Sequence, residues 1–193
     1  STQISETGAY AKIGWRETQY NKVLCWKKAV EDNMGDLIVC SDVDIQFLSK
    51  CKEYLSKTLK SADIGFQQNS KGGNICSGFF VCRCSLKTQN FFDIISKRLK
   101  KIMHTEGGGE QYEYWKLLQE PWYELDVLKI SHDRIWTPGK NYEDLKELNI
   151  AKDIMVHHAN WTHGVENKIE QLEYVKSVHV QRNAPFQRLS LSR

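Results

Sequence analysis

The sequence lacks any run near the roughly 18 to 20 consecutive apolar residues that a bilayer span needs, and its opening, STQISETGAY, lacks the basic and apolar segments of a secretory signal. A soluble chain with no membrane span and no address is expected. It also lacks an excess of one charge: 27 Lys and Arg stand against 24 Asp and Glu, a net +3, interleaved through most segments. That argues against a nucleic-acid partner and suits a modest anionic ligand. Repeats and low-complexity tracts are absent. The six cysteines, Cys25, Cys40, Cys51, Cys76, Cys82 and Cys84, include neither a C-x-x-C pair nor a Cys/His cluster at zinc spacing. A chain of 193 residues can build a full core without disulfide staples. Packed, reduced thiols and a reducing, cytoplasmic compartment are therefore expected, that of a host cell if the chain is viral.

What is present is the composition of one ordinary globular domain, 40% apolar and 26% charged. Val23, Trp26 and Val30 recur at helical spacing across residues 18–33, and the apolar run LIVC at 37–40 reads as a strand buried on both faces. Residues 48–60 read as a second helix, 62–67 and 75–84 as strands, and 86–103 as a helix whose broad apolar stripe core packing explains completely. Another helix opens at Glu110 behind Gly107-Gly108-Gly109 and stops at Pro121. Strands are expected at 123–130 and 154–156, then a helix after Lys168 and a basic tail over 181–193. Alternating helices and strands imply an α/β domain with a mixed sheet, whose ligand crevice lies beyond the carboxyl ends of the strands.

Four segments carry chemistry. In LIVCSDVDIQF, Asp42 and Asp44 leave an apolar strand together, where a divalent cation would offset their repulsion and bridge to a phosphate. The plainer reading is a turn or helix cap. In MVHHANWTHGVENK, His157 and His158 are followed by Asn160, Trp161, Gly164 and Lys168: an imidazole ligand, a glycine allowing close backbone approach, and an ammonium to neutralise phosphate. Each has a packing or solvent alternative, His157 as a core residue among them. Asn74, Ser77 and Gly78 in NICSGFF suit hydrogen bonding to a polyhydroxylated ligand. Glu110 and Gln111 open a helix, where a carboxylate is favoured even without a function.

The order of these motifs resembles the GT-A nucleotide-diphospho-sugar transferases, the D-x-D glycosyltransferases, including virus-encoded members. The resemblance rests on a helix with Lys22, S-D-V-D after a strand, N-x-x-S-G-F-F on a strand, E-Q at a helix start and H-x-N-W-x-x-G-x-x-x-K at the close, and spans about residues 10–168. It implies a Rossmann-like GT-A fold, a mixed central sheet flanked by helices in a single domain over residues 1–180. It implies hexose transfer from a nucleotide-sugar donor, a UDP-sugar first, to a glycan or glycoprotein acceptor, with retention by the D-Q-type pattern, or with inversion if Glu110 serves as the base at the acceptor hydroxyl. Asp42, Asp44 and His158 would hold Mn²⁺ or Mg²⁺, and the imidazole favours Mn²⁺. Lys22, Asn74, Ser77, Gly78, Asn160, Gly164 and Lys168 would face the donor, with Glu110 and Gln111 on its reactive side as catalytic residues. Glu110 stands where the family has Asp, and Cys76 where it has Asn. The family's first strand and helix, which hold the base, have no clear counterpart before Ser1, so the chain is expected to lack that unit.

Two other readings stay open at this level. A haloacid-dehalogenase-type phosphatase also places D-x-D after an apolar strand, but its pattern wants Thr or Val where Gln46 stands. A non-catalytic nucleotide-sugar- or carbohydrate-binding module would keep the fold without turnover.

Overall fold

The computed structural model describes residues 14–105 and 107–183; residues 10–13 of the family-like segment and 184–193 of the basic tail lie outside the described residues. In chain order the elements are α1 (Trp15–Asp32), β1 (Leu37–Ser41), β2 (Ile45–Phe47), α2 (Lys52–Leu59), β3 (Ile64–Gln68), β4 (Ile75–Arg83), α3 (Leu86–Ile102), α4 (Glu110–Leu118), β5 (Val127–Lys129), β6 (Ile135–Trp136), a 3₁₀ turn (Leu145–Glu147), β7 (Val156–His158) and α5 (Val165–Asn183). The mixed α/β expectation holds, with the strands divided between two sheets. The larger runs β1-β4-β3-β5, and the smaller runs β2-β7-β6. Each combines one parallel pairing, β3 with β5 and β6 with β7, with antiparallel ones.

The strands of this sheet buried on both faces are β4 and, over Ile64–Gln67, β3, not β1. Every residue from Ile75 to Cys82 is buried, and alternation divides them between two cores. Phe80 and Cys82 meet α1, α3 and α4 through Val23, Trp26, Phe91, Phe92 and Tyr114. Phe79 and Val81 meet Leu55 and Leu59 of α2, together with Ile135 and Val156 of the second sheet. β1, by contrast, is an edge strand with Leu37 and Val39 37% and 43% exposed. An apolar run by itself does not tell a central strand from an edge. The third cluster, Trp136, Leu148, Ile150, Ile154 and Val175, seats α5 against the small sheet.

Element edges moved for local reasons. Gly14, with φ +84°, caps α1 three residues earlier than periodicity places its start. Leu48 does not enter α2, because its N–H is donated to Met155 O at 2.8 Å, which ties the chain to the entry of β7. The pairing of β7 with β2 carries it through both histidines, where a strand ending at residue 156 was expected. The short strands β2 and β6 gave no separable signal. α3 begins at a reciprocal capping box between Ser85 and Thr88, which contributes about 1 kcal/mol. All six cysteines are free thiols, five of them buried, as expected. No helix among the described residues is long and apolar enough to cross a membrane.

Candidate functional site

The two sheets meet at the D-V-D turn. β1 ends at Ser41, the turn crosses over, and β2 begins at Ile45, so Asp42 closes one sheet and Asp44 opens the other. Backbone bonds fix both ends. Asp42 N–H donates to Gly78 O at 2.7 Å, and Ala159 N–H donates to Asp44 O at 3.0 Å. His158 ends β7 opposite Ile45. Each of Asp42, Asp44 and His158 thus offers a ligand atom, all within 4.8 Å of one another.

Whether these residues fit a divalent cation can be tested on the surroundings. Gly78 lies directly beneath them: a Cβ there would sit 2.9 Å from Asp42 Oδ2 and 3.1 Å from His158 Nε2, and closer still to His158 Cε1. Glycine therefore makes the space that the cluster occupies. His158 Nδ1 lies 2.9 Å from Gln67 Oε1, which assigns the Nδ1 proton to that bond. This support fixes the ring and directs Nε2 toward Asp44 Oδ1, 3.4 Å away. Two carboxylates and one backed imidazole form a donor set that fits a divalent cation.

The charges are balanced by the protein's own cations. Lys22 Nζ lies 2.9 Å from Asp42 Oδ1 and 2.7 Å from Glu110 Oε1, and over the Trp26 ring at 4.7 Å. Lys168 Nζ pairs with Asp44 Oδ2. Burial works against charging His158, yet the hydrogen bond and charge of Asp44, together with Cys76, push its pKa up to about 9. Burial would raise the Asp44 pKa as well, but His158 and Lys168 outweigh it and hold the carboxyl well below the usual range. Asp42 goes the other way, because burial exceeds what Lys22 returns. Burial likewise opposes the Lys22 charge, and Glu110 and Asp42 reverse that, lifting it above the ordinary lysine range.

Glu110 and Gln111 reach the same centre from the first turn of α4. Glu110 is 4% exposed and accepts from Ser77 Oγ at 2.8 Å, while Gln111 Oε1 accepts from Ser77 N–H at 3.1 Å. The glycine loop ahead of them is held from α1: Arg16 donates to Gly108 O at 2.9 Å and to Thr105, and a Cβ on Gly109 would strike the Trp15 ring at 2.7 Å. Strand alternation sends His157 to the opposite face from His158. It is wholly buried, lies 5.2 Å from the Trp136 ring and receives Gln171 Nε2–H at its Nε2, 3.0 Å away.

Of the residues expected at the site, Lys22, Asp42, Asp44, Ser77, Gly78, Glu110, Gln111, His158 and Lys168 form one connected group. Asn160 touches it indirectly, its amide 3.7 Å from Cys76 Sγ, which lies 3.8 Å from His158 Nδ1. Gly164, φ +85°, precedes α5 and places Lys168 on the first turn of that helix. Asn74 lies apart, exposed, on a cleft beside α4. Sequence reading missed Gln67, which carries no motif and whose part in the site comes through the bond to His158. It also missed Arg16 and the backbone of Trp161. Trp161 is held in the left-handed region at φ +68°, with its indole N–H donated to Asn69 O at 2.9 Å. A bulky residue at positive φ is a signal that only coordinates give.

Residues 7–172 match the family model described as nucleotide-diphospho-sugar transferase. Among solved structures the chain resembles a glycosyltransferase involved in the glycosylation of the major capsid of the chlorella virus PBCV-1. The TM-score is 0.61 at 11% identity, over 92% of this chain and 81% of that one. No curated protein matches the sequence. The phosphatase reading falls with the family match. A match over most of the chain, on a fold that gathers the expected residues, places it: the protein belongs to the nucleotide-diphospho-sugar transferases and is a glycosyltransferase.

Proposed function

We propose that the protein transfers a hexose from a UDP-sugar to a hydroxyl of a glycan or glycoprotein acceptor, with retention and with dependence on a divalent cation. The observation that carries this reading is the convergence of Asp42, Asp44 and His158 within 4.8 Å over a glycine that leaves room for them. A cation bound by these three residues, Mn²⁺ by the donor set, would supply Lewis-acid stabilisation of the departing diphosphate. The chain's own residues do the rest. Lys168, on the first turn of α5, faces negative charge, the positive end of the helix dipole adding to its ammonium. Gln111, its Oε1 taken by Ser77, offers its amide N–H groups to the donor sugar. Glu110 holds Lys22 against Asp42 and keeps the floor of the site rigid.

In the transfer, the bond from the anomeric carbon to the diphosphate oxygen breaks and its electron pair leaves with the nucleoside diphosphate. The acceptor oxygen bonds to that carbon on the face just vacated, and the hydroxyl proton passes to the departing oxygen. Glu110 is buried and doubly paired, which favours this course over one in which it takes the proton as an inverting base.

Calorimetric titration of UDP with and without Mn²⁺ tests the reading, together with a panel of UDP-hexoses assayed for slow hydrolysis. UDP affinity should rise with Mn²⁺, and Asp44→Ala should abolish that rise while leaving a cooperative melting transition. An affinity indifferent to metal would sink the proposal.

A further inference from the structure

The exposed face of α4 carries two aromatic side chains, Tyr112 and Trp115, beside a single cation, Lys116, whose Nζ lies 4.4 Å from the Tyr112 ring. Its inner face buries Glu110, Glu113, Tyr114 and Leu117. The outer face leaves Tyr112 and Trp115 50% and 46% exposed, with rings 6.4 Å apart and within 19° of parallel. Trp115 forms one wall of a cleft of about 430 Å³ between α4, the entry to β4 and β5, and Asn74, Gln119, Asp126 and Lys129 also line it. The volume falls in the range of small-ligand sites, roughly 300–1,000 Å³. The chemistry is that of a sugar site. A pyranose presents a face of weakly positive C–H groups to the electron-rich face of an indole, and an edge of hydroxyls to amides and a carboxylate. Lys129 donates to Gly73 O at 2.8 Å and Asp126 is also present, so the cleft has no unbalanced positive charge for a diphosphate.

Its position joins it to the transfer centre along two elements. Trp115 lies one turn, about 6 Å, beyond Gln111 on α4. Asn74 lies three residues, about 10 Å, before Ser77 on the extended chain entering β4. We propose that this cleft binds the acceptor as a neutral oligosaccharide, with Trp115 as the stacking platform and Asn74 and Gln119 as hydroxyl partners. The proposal rests on the glycosyl-transfer reading above, and it moves Asn74 from the donor to the acceptor.

The test screens the intact protein on an array of neutral and acidic oligosaccharides. Methyl glycosides of the hits are then measured by saturation-transfer NMR for wild type, Trp115→Ala and Trp115→Phe, and UDP is titrated with Mn²⁺ in parallel. Expected is a set of neutral glycans whose affinity falls about tenfold or more in Trp115→Ala, largely recovers in Trp115→Phe, and leaves UDP affinity within twofold. Equal glycan binding by Trp115→Ala overturns the proposal, as does a wild type that binds no arrayed glycan. A Trp115→Ala variant that loses UDP instead also overturns it, because the indole would then be stacking on a base. Glycan binding that depends on Trp115, in a protein whose UDP affinity ignores metal, would retain the cleft as a glycan site and reject metal-dependent transfer.

Discussion

Gly78 and His158 share one small volume: a methyl group on Gly78 would come 3.1 Å from His158 Nε2 and nearer still to Cε1. The imidazole can stand over the aspartates only because residue 78 has no side chain. Gly78→Ala should therefore displace the ring and weaken Mn²⁺ binding by more than tenfold, while the strain costs about 1–3 kcal/mol of stability. Electron paramagnetic resonance of free Mn²⁺ measures the first quantity and thermal melting the second. A variant that binds Mn²⁺ like wild type would show that His158 is not a ligand.

Gln67 is buried between the two sheets, its Oε1 receiving the His158 Nδ1 proton at 2.9 Å and its amide N–H groups directed at Ile135 O and Trp136 O at 3.5 and 3.4 Å. Gln67→Leu should lower metal affinity about tenfold to a hundredfold, the range for a group that orients a ligating histidine. Gln67→Glu, which keeps an acceptor, should recover most of the loss. Equal affinities in the two variants would assign Gln67 to packing alone.

Lys22 separates two carboxylates, Asp42 and Glu110. Lys22→Met leaves them facing each other and should cost about 1–3 kcal/mol in chemical denaturation. Adding Glu110→Gln should restore part of it, and the double-mutant cycle gives the coupling. A purely additive cycle would mean that the two side chains do not interact.

In turnover, Glu110→Gln and Gln111→Ala should each be slowed by on the order of tenfold to a thousandfold, with metal-dependent UDP affinity nearly unchanged. Unchanged rates in both would remove the start of α4 from the reaction. A loss confined to stability would make Glu110 a structural partner of Lys22 and Ser77 alone.

Burial, with the neighbouring His158, pushes the His157 pKa down from 6.5 to about 3. The unfolded chain therefore takes up a proton on His157 between those values and the folded chain does not. Its stabilising contribution is fully present above about pH 6.5 and is lost progressively as pH falls toward 3. His157→Phe should flatten the fall in melting temperature between pH 6.5 and pH 4. An unchanged slope would place the acid sensitivity elsewhere.

Local chemistry was legible wherever the chain itself supplies the spacing. The helix of α3 follows from its apolar stripe, the start of α4 from three glycines ahead of Glu110, and the metal candidates from D-x-D and H-x-N. These signals are written within a few residues, so periodicity and turn chemistry read them. The same rule misread β1, since LIVC looks alike at the centre and at the edge of a sheet, and it missed β2 and β6, which are too short to show a period.

Which residues share the site was decided by packing. Asp42 and His158 are 116 positions apart in sequence, and they meet because β1 pairs with β4 in one sheet while β2 pairs with β7 in the other, with the D-V-D turn spanning both. Strand alternation then separates two adjacent histidines, placing His158 over Gly78 and His157 against Trp136. Gln67, Arg16 and Trp115 acquire meaning only through partners far along the chain. By itself the sequence determined which candidate ligating groups are present and the type of the longer elements, because those depend on near neighbours. The tertiary structure alone decided register, edge and face, because those depend on pairings between distant strands, whose spacing no local pattern records.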